Sequence, residues 1–353
     1  MKNIKLPTNR QTSARASQID SFDFFKCFAA FLVVSIHVSF QGIIGDYINV
    51  IARISVPFFF LVSGFFSYQK ESGDVKIRKK RMRKIKKYFV ILLGVTVVYF
   101  LYEIAGSFSD GSFQETIKTY LSFPFLIAHL GPKGSHLWFI RALIYLEIMF
   151  LFFEPLFRKK AGGILLLIAW LFDVLALKYS NILFGFEIME PYDEILTKYI
   201  GCAFVYYMAG YKIHCYETQV VHFFERLGIG KNIGILLILV LMNILEYTLL
   251  EHYNVNHMPI NYFTTFFLAL VVFSLLLLYR SLGRGSIFSY IGRELSMYIY
   301  YWHLLIFWLE AFLLSNFPAL DILYKNPIML YIQTVIFSMF ILYFKNTFIK
   351  IKR

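Results

Sequence analysis

The stretch Asp23–Gly42, DFFKCFAAFLVVSIHVSFQG, decides how the rest of the chain is read. It is apolar and long enough to cross a bilayer as a helix, yet it carries Asp23, Lys26 and His37. At 100° and 1.5 Å per residue, the interval from Lys26 to His37 makes about three turns, which leaves the two side chains about 20° apart and about 16 Å apart along the axis. Asp23, three residues before Lys26, is its neighbour on the helix surface. A charge in a membrane segment costs roughly 2.5–3.5 kcal/mol and marks a functional face by default. Taken singly, Asp23 and Lys26 could instead snorkel to the headgroups, and His37 could bond a neighbouring helix.

Composition agrees with a membrane setting. Of 353 residues, 58% are hydrophobic, 20% aromatic and only 16% charged, with a mean hydropathy of +0.61; a soluble domain averages about 45–50% apolar and about 25% charged. The expected fold is therefore all-α and polytopic. A net charge of +13 would suit a nucleic-acid partner in a soluble protein, but its placement in membrane-flanking loops argues for none. Cys27, Cys202 and Cys215 have no paired spacing, so neither a disulfide framework nor a metal site is expected. The polar start and the lack of a small-residue cleavage site make the first apolar run an uncleaved helix.

Nine further candidate spans follow, near 50–69, 88–106, 137–157, 163–180, 195–213, 233–251, 260–281, 295–315 and 328–345, making about ten transmembrane helices. Basic residues test the orientation, since they gather in cytoplasmic loops. With both termini cytoplasmic, most of the 35 Lys and Arg fall inside, ten of them between residues 70 and 87. The outward loop 181–194 carries Glu187, Glu190, Asp193 and Glu194 instead. The short apolar piece 116–130, containing Lys118 and Pro124, would invert every later loop if it spanned, so it reads as an interfacial or re-entrant part of an external loop. The organisation is a flexible cytoplasmic tail (1–22), one membrane domain (23–345) and a basic cytoplasmic tail (346–353).

Four later stretches carry chemistry. PFFFLVSGFF, residues 57–66, offers Pro57 as a bend and Ser63 and Gly64 as small surfaces for close helix approach. KIRKKRMRKIKKYF, residues 76–89, is the densest basic run and suits inside anchoring, anionic lipid or phosphate groups. HLWFIRALIYLEIMFLFFEPLF, residues 136–157, places Arg141 and Glu147 about 240° apart, so each must face a different partner. Trp138, at that helix's end, reads by position as an interfacial anchor. GRELSMYIYYWHLLIF, residues 292–307, sets Tyr300 and His303 three apart on one face.

A basic residue, ten residues, then His in an acid-led first helix, followed in order by these stretches, resembles acyltransferase family 3, the integral-membrane O-acyltransferases of bacterial surface glycans. The resemblance covers about residues 20–345. It implies a catalytic role for His37, with Lys26 and Asp23 beside it; Lys26 stands where Arg is commoner, keeping the charge without the planar fork. Aligned on Ile85 and Tyr88, the donor-binding basic pair becomes Arg81 and Lys84, with Arg78–Arg81 and Lys80–Arg83 as open alternative registers, and Lys87 stands where the family often has Pro. Ser63, Trp138, Arg141, Tyr300 and His303 become pocket residues.

The implied reaction moves an acyl group, most often acetyl, from acyl-CoA as co-substrate, with no permanently bound cofactor. The acceptor is a hydroxyl of a surface or lipid-linked glycan at the bacterial plasma membrane. His can take the hydroxyl proton or carry the acyl group itself, and the sequence leaves both open. Many family members carry an extracytoplasmic esterase-like domain after the membrane region; with the chain ending at Arg353, either the membrane domain completes the transfer alone or a separate extracytoplasmic transferase acts as partner. The competing class is a polysaccharide transporter or flippase without acyl chemistry.

Overall fold

A computed structural model describes residues 19–69, 74–185, 189, 192–253, 262–314 and 317–351. Most of the proposed N-terminal tail, the last two residues, Lys70, and Glu187 and Glu190 of the acidic loop lie outside the described residues. Among those described, the chain is helical without strands, and it is a multi-pass helical membrane protein. Seven helices are long and apolar enough to cross a membrane: Gly42–Phe65, Val75–Phe108, Ser135–Arg158, Lys160–Lys178, Glu217–His252, Ile287–Leu314 and Pro327–Thr347. Phe263–Leu278 is apolar but shorter. The first helix, Asp20–His37, holds three charged residues, and the helical run from Asp193 to Cys215 is Tyr-rich with Lys198 and Lys212. Seven of the ten expected spans thus fall on helices long and apolar enough to cross a membrane.

Two boundaries differ from expectation. The first helix stops at His37 rather than Gly42, because Val38 leaves helical geometry at φ −129° and ψ 89°; Gly42, at φ +76°, then opens a new helix, Gly42–Ala52. Pro57 marks a break in the long helical run Gly42–Phe65. The chain breaks just ahead of it, at Arg53 and Ile54, and Pro57 falls in the first turn of Ser55–Phe65, where its missing N–H is not needed.

The centre of the bundle is built on close backbone contact. A Cβ on Gly64 would stand 1.9 Å from the Tyr207 carbonyl oxygen, and one on Gly210 would stand 2.0 Å from that of Leu61. Helices Ser55–Phe65 and Val205–Cys215 therefore touch reciprocally through two glycines, as small residues allow in membranes. The first helix makes a similar contact, since a Cβ on Gly292 would lie 1.8 Å from the Asp23 carbonyl oxygen. Gly64→Ala is expected to destabilise by about 1–3 kcal/mol through overpacking, read as a lower unfolding temperature of purified protein in detergent; an unchanged midpoint would show that the helices part freely.

The piece 116–130 is re-entrant in shape. Phe113 stacks on Phe108 with ring centroids 4.8 Å apart, Tyr120 meets Phe100 at 4.9 Å, and Leu126 shares a cleft with Phe89 and Leu92. Following helix Asp74–Asp110 from 108 to 92, the segment descends roughly 24 Å. It then returns, with Gly134 against the Tyr99 ring and the Lys133 amide donating to Glu103 at 2.7 Å.

Of the four carbonyls that end its short helix, Phe123–Ala128, that of Phe125 accepts from the His129 amide at 2.8 Å, and side chains from elsewhere reach all four. Arg141 donates to Phe125 and Leu126, Tyr145 to Ile127 and Tyr199 to Ala128. Irregular backbone of this kind is tolerated at membrane depth only when it is satisfied inside protein.

Candidate active site

The first helix delivers its chemistry at two levels. Near its start, Lys26 Nζ stands 2.9 Å from Asp23 Oδ1, as the spacing of three predicts, and Arg293 approaches the other Asp23 oxygen at 3.9 Å. His37 is three turns further on, at the helix end. Lys26 and Asp23 thus form one cluster and His37 another.

Around His37 three imidazoles converge from three parts of the chain. Its ring lies 5.2 Å from that of His303, on Ser296–Leu314, and 6.3 Å from that of His136, on the turn Ser135–Leu137; His136 and His303 are 5.1 Å apart. His303 and His136 are buried, at 0% and 5% exposure. His37, at the end of the first helix, is exposed. It is the reachable member of the cluster, and Arg53 and Lys198 are near enough for their charges to act on it.

Backbone groups hold His303 in place. His303 Nδ1 lies 3.1 Å from the Ile299 carbonyl and 3.0 Å from that of Tyr300. Carbonyls only accept, so Nδ1 carries the proton and Nε2 presents its lone pair; that Nε2 is buried with no hydrogen-bond partner. The Tyr99 hydroxyl donates to the Tyr301 carbonyl and accepts from the Leu305 amide, both at 3.0 Å. It sits in the backbone ladder of the turn that bears His303, a known cause of local helix distortion. The Tyr300 hydroxyl donates to the His136 carbonyl, which ties Ser296–Leu314 to the end of the re-entrant segment.

A second polar centre lies between Asp74–Asp110 and Trp138–Arg158. Glu147, 1% exposed, accepts from Arg81 and Lys84, each at 2.8 Å, and from the Tyr207 hydroxyl at 3.0 Å. Arg81 also donates to Ser67 at 2.7 Å and packs on the Phe150 ring. Of the three registers left open by the sequence, the structure turns Arg81 and Lys84 inward together, whereas Arg78 and Arg83 are exposed.

The remaining expected pocket residues separate. Ser63 bonds the Phe59 carbonyl of its own helix at 2.8 Å. Trp138 is 9% exposed and packs against Phe60 and Tyr199, a core position rather than an interfacial anchor. Arg141 caps the re-entrant helix and lies 3.2 Å from His129 Nδ1.

Arg141 and Glu147 face different partners, as their 240° separation requires. Sequence reading missed His136, Tyr99 and Glu147's role as counter-ion, since none has a local spacing that points to its partner. Glu246 and Asp173, unassigned from sequence, are structural: Glu246 accepts from the Phe263 and Thr264 amides at 2.6 and 2.9 Å, and Asp173 pairs with Lys178.

Comparison with known families finds a match to an acyltransferase-domain family over residues 19–345. The chain belongs to the acyltransferase 3 family. Within this acyltransferase 3 domain, 132 residues are 31% identical to an amino-acid racemase of Enterococcus faecalis. That match takes in 35% of this chain and spans only 18% of the racemase's length. No solved structure matches the acyltransferase 3 chain.

Proposed function

We propose that this protein is a membrane O-acyltransferase, moving an acetyl group from acyl-CoA to a hydroxyl of a surface or lipid-linked glycan at the bacterial plasma membrane. The observation that carries the reading is the position of His37: an accessible imidazole at the end of a charged membrane helix, backed by two buried histidines. An alcohol is a weak nucleophile until a base takes its proton, and a neutral imidazole is suited to that task near pH 7. His37 takes the hydroxyl proton as the oxygen bonds to the thioester carbonyl carbon. Collapse of the tetrahedral intermediate breaks the C–S bond, and the imidazolium returns the proton to the departing CoA sulfur. Charge balances at each step.

His303 Nε2, a lone pair facing no protein donor, supports a role in steadying the cluster around His37. On the donor side, Lys84 is the more open member of the basic pair, at 26% side-chain exposure against 3% for Arg81. It supplies a charge-assisted contact for a CoA phosphate, while Arg81 and Glu147 fix the helix face that presents it. The experiment is reconstitution with labelled acetyl-CoA and extraction of surface and lipid-linked glycan. Label on the glycan that requires His37 supports the reading; no label from any acyl-CoA moves it to a transporter.

A further inference from the structure

Arg53 lies in the break between Gly42–Ala52 and Ser55–Phe65, and this stretch runs antiparallel to the first helix. Two contacts set the register: Asn49 donates to the Ser39 hydroxyl at 3.1 Å, and Val56 shares a small recess with Val33. Arg53 and Ile54 keep near-helical backbone angles, at φ −59° and −68°, so the rise between those contacts is close to that of a helix and Arg53 falls level with Ser35 and Ile36. It is thus about 1.5–3 Å nearer the Lys26 end than His37 is. Arg81, which bonds Ser67 just past Ser55–Phe65, and Lys84 stand at that same end. Four residues after Asn49, Arg53 shares the face turned to the first helix, and its charge acts on His37.

Other cations turned into the bundle are paired: Lys26 with Asp23, Arg81 and Lys84 with Glu147, Lys178 with Asp173, and Lys198, the other cation acting on His37, with Glu194. Among the described residues no carboxylate or hydrogen-bond acceptor reaches the Arg53 guanidinium, whose Nε is buried and unpartnered. Nearby Tyr262 is a neutral phenol at pH 7 and balances no charge. An unbalanced charge at membrane depth marks a functional group by default.

Resting on the acyl-transfer reading of His37, we propose that Arg53 is a second catalytic residue, whose guanidinium donates to the thioester carbonyl oxygen and holds the negative charge that this oxygen gains. As the acceptor oxygen bonds to the carbonyl carbon and its proton passes to His37, the π pair moves onto the carbonyl oxygen. When the pair returns, the C–S bond breaks and the sulfur takes the proton from His37. The oxyanion draws on Arg53 far more strongly than the neutral carbonyl does, so the contact acts on kcat. His303 Nε2 offers only a lone pair and cannot donate there.

The test uses the purified full chain in lipid nanodiscs with a glycolipid extract of the source cells, following acceptor-dependent release of free thiol from acetyl-CoA by wild type, Arg53→Met and Arg53→Lys. Arg53→Met is expected to lower kcat by about 10²–10³-fold, and Arg53→Lys to recover about tenfold of that loss by restoring the charge. The KM for acetyl-CoA should move by less than about threefold in both. The unfolding temperature of Arg53→Met should hold or rise, since the change removes a charge with no protein partner. A kcat for Arg53→Met within about threefold of wild type, or a loss confined to KM, overturns the proposal and leaves the transfer reading standing. Equal loss in both variants with a lowered unfolding temperature, or an Arg53→Met chain that does not fold, shows a structural role and overturns it too. No His37-dependent thiol release by wild type overturns the transfer reading itself and the role of Arg53 with it.

Discussion

His37→Ala lowers acetyl transfer by about 10²–10⁴-fold, the range that loss of a positioned general base produces, measured as label on extracted glycan at equal expression. The size of the effect follows from what alanine removes. His136 and His303 stay in place but are buried, and His303 has its Nδ1 proton committed to backbone carbonyls. Neither can replace an accessible base at the end of the first helix. Because His37 is exposed at a helix end, its loss should alter stability by no more than about 0.5 kcal/mol. Unfolding temperature should therefore hold while turnover collapses, which separates a chemical role from a packing one. Transfer retained within a few-fold after His37→Ala would remove the base from this position.

Glu147→Ala should be the most destabilising single change in the bundle, at about 3–5 kcal/mol. Removing the carboxylate leaves Arg81, 3% exposed in its side chain, as a buried charge without its counter-ion, and takes an acceptor from Tyr207 and Lys84. Replacing both partners of a buried pair by apolar residues is often neutral, so Arg81→Met with Glu147→Leu should recover most of the lost stability. The single and double variants are compared by thermal unfolding in the same detergent. Lys84→Ala, with its partner charge still balanced by Arg81, should cost little stability and instead raise the acyl-CoA Kd several-fold. Equal stability of Glu147→Ala and wild type would mean that solvent reaches this centre and the ion pair is not what holds the two helices.

Hydropathy and charge, read along the chain, determined the all-α membrane fold, because a bilayer forces long apolar runs into helices whatever their neighbours. Local spacing determined equally local facts: Asp23 meeting Lys26, Arg81 sharing a face with Lys84, and Gly64 serving close approach. Each is set by helix geometry within a few residues.

Which residues meet across the bundle was decided only by tertiary structure. His136 lies 99 positions from His37, and His303 a further 167; their meeting depends on how three helices and a re-entrant loop pack, which no periodicity encodes. The same holds for Glu147 under Arg81, for Arg141 capping carbonyls instead of lining a pocket, and for Trp138 in the core. A side chain's type and spacing set what it can bond, whereas the packing of distant segments sets which partner is within reach.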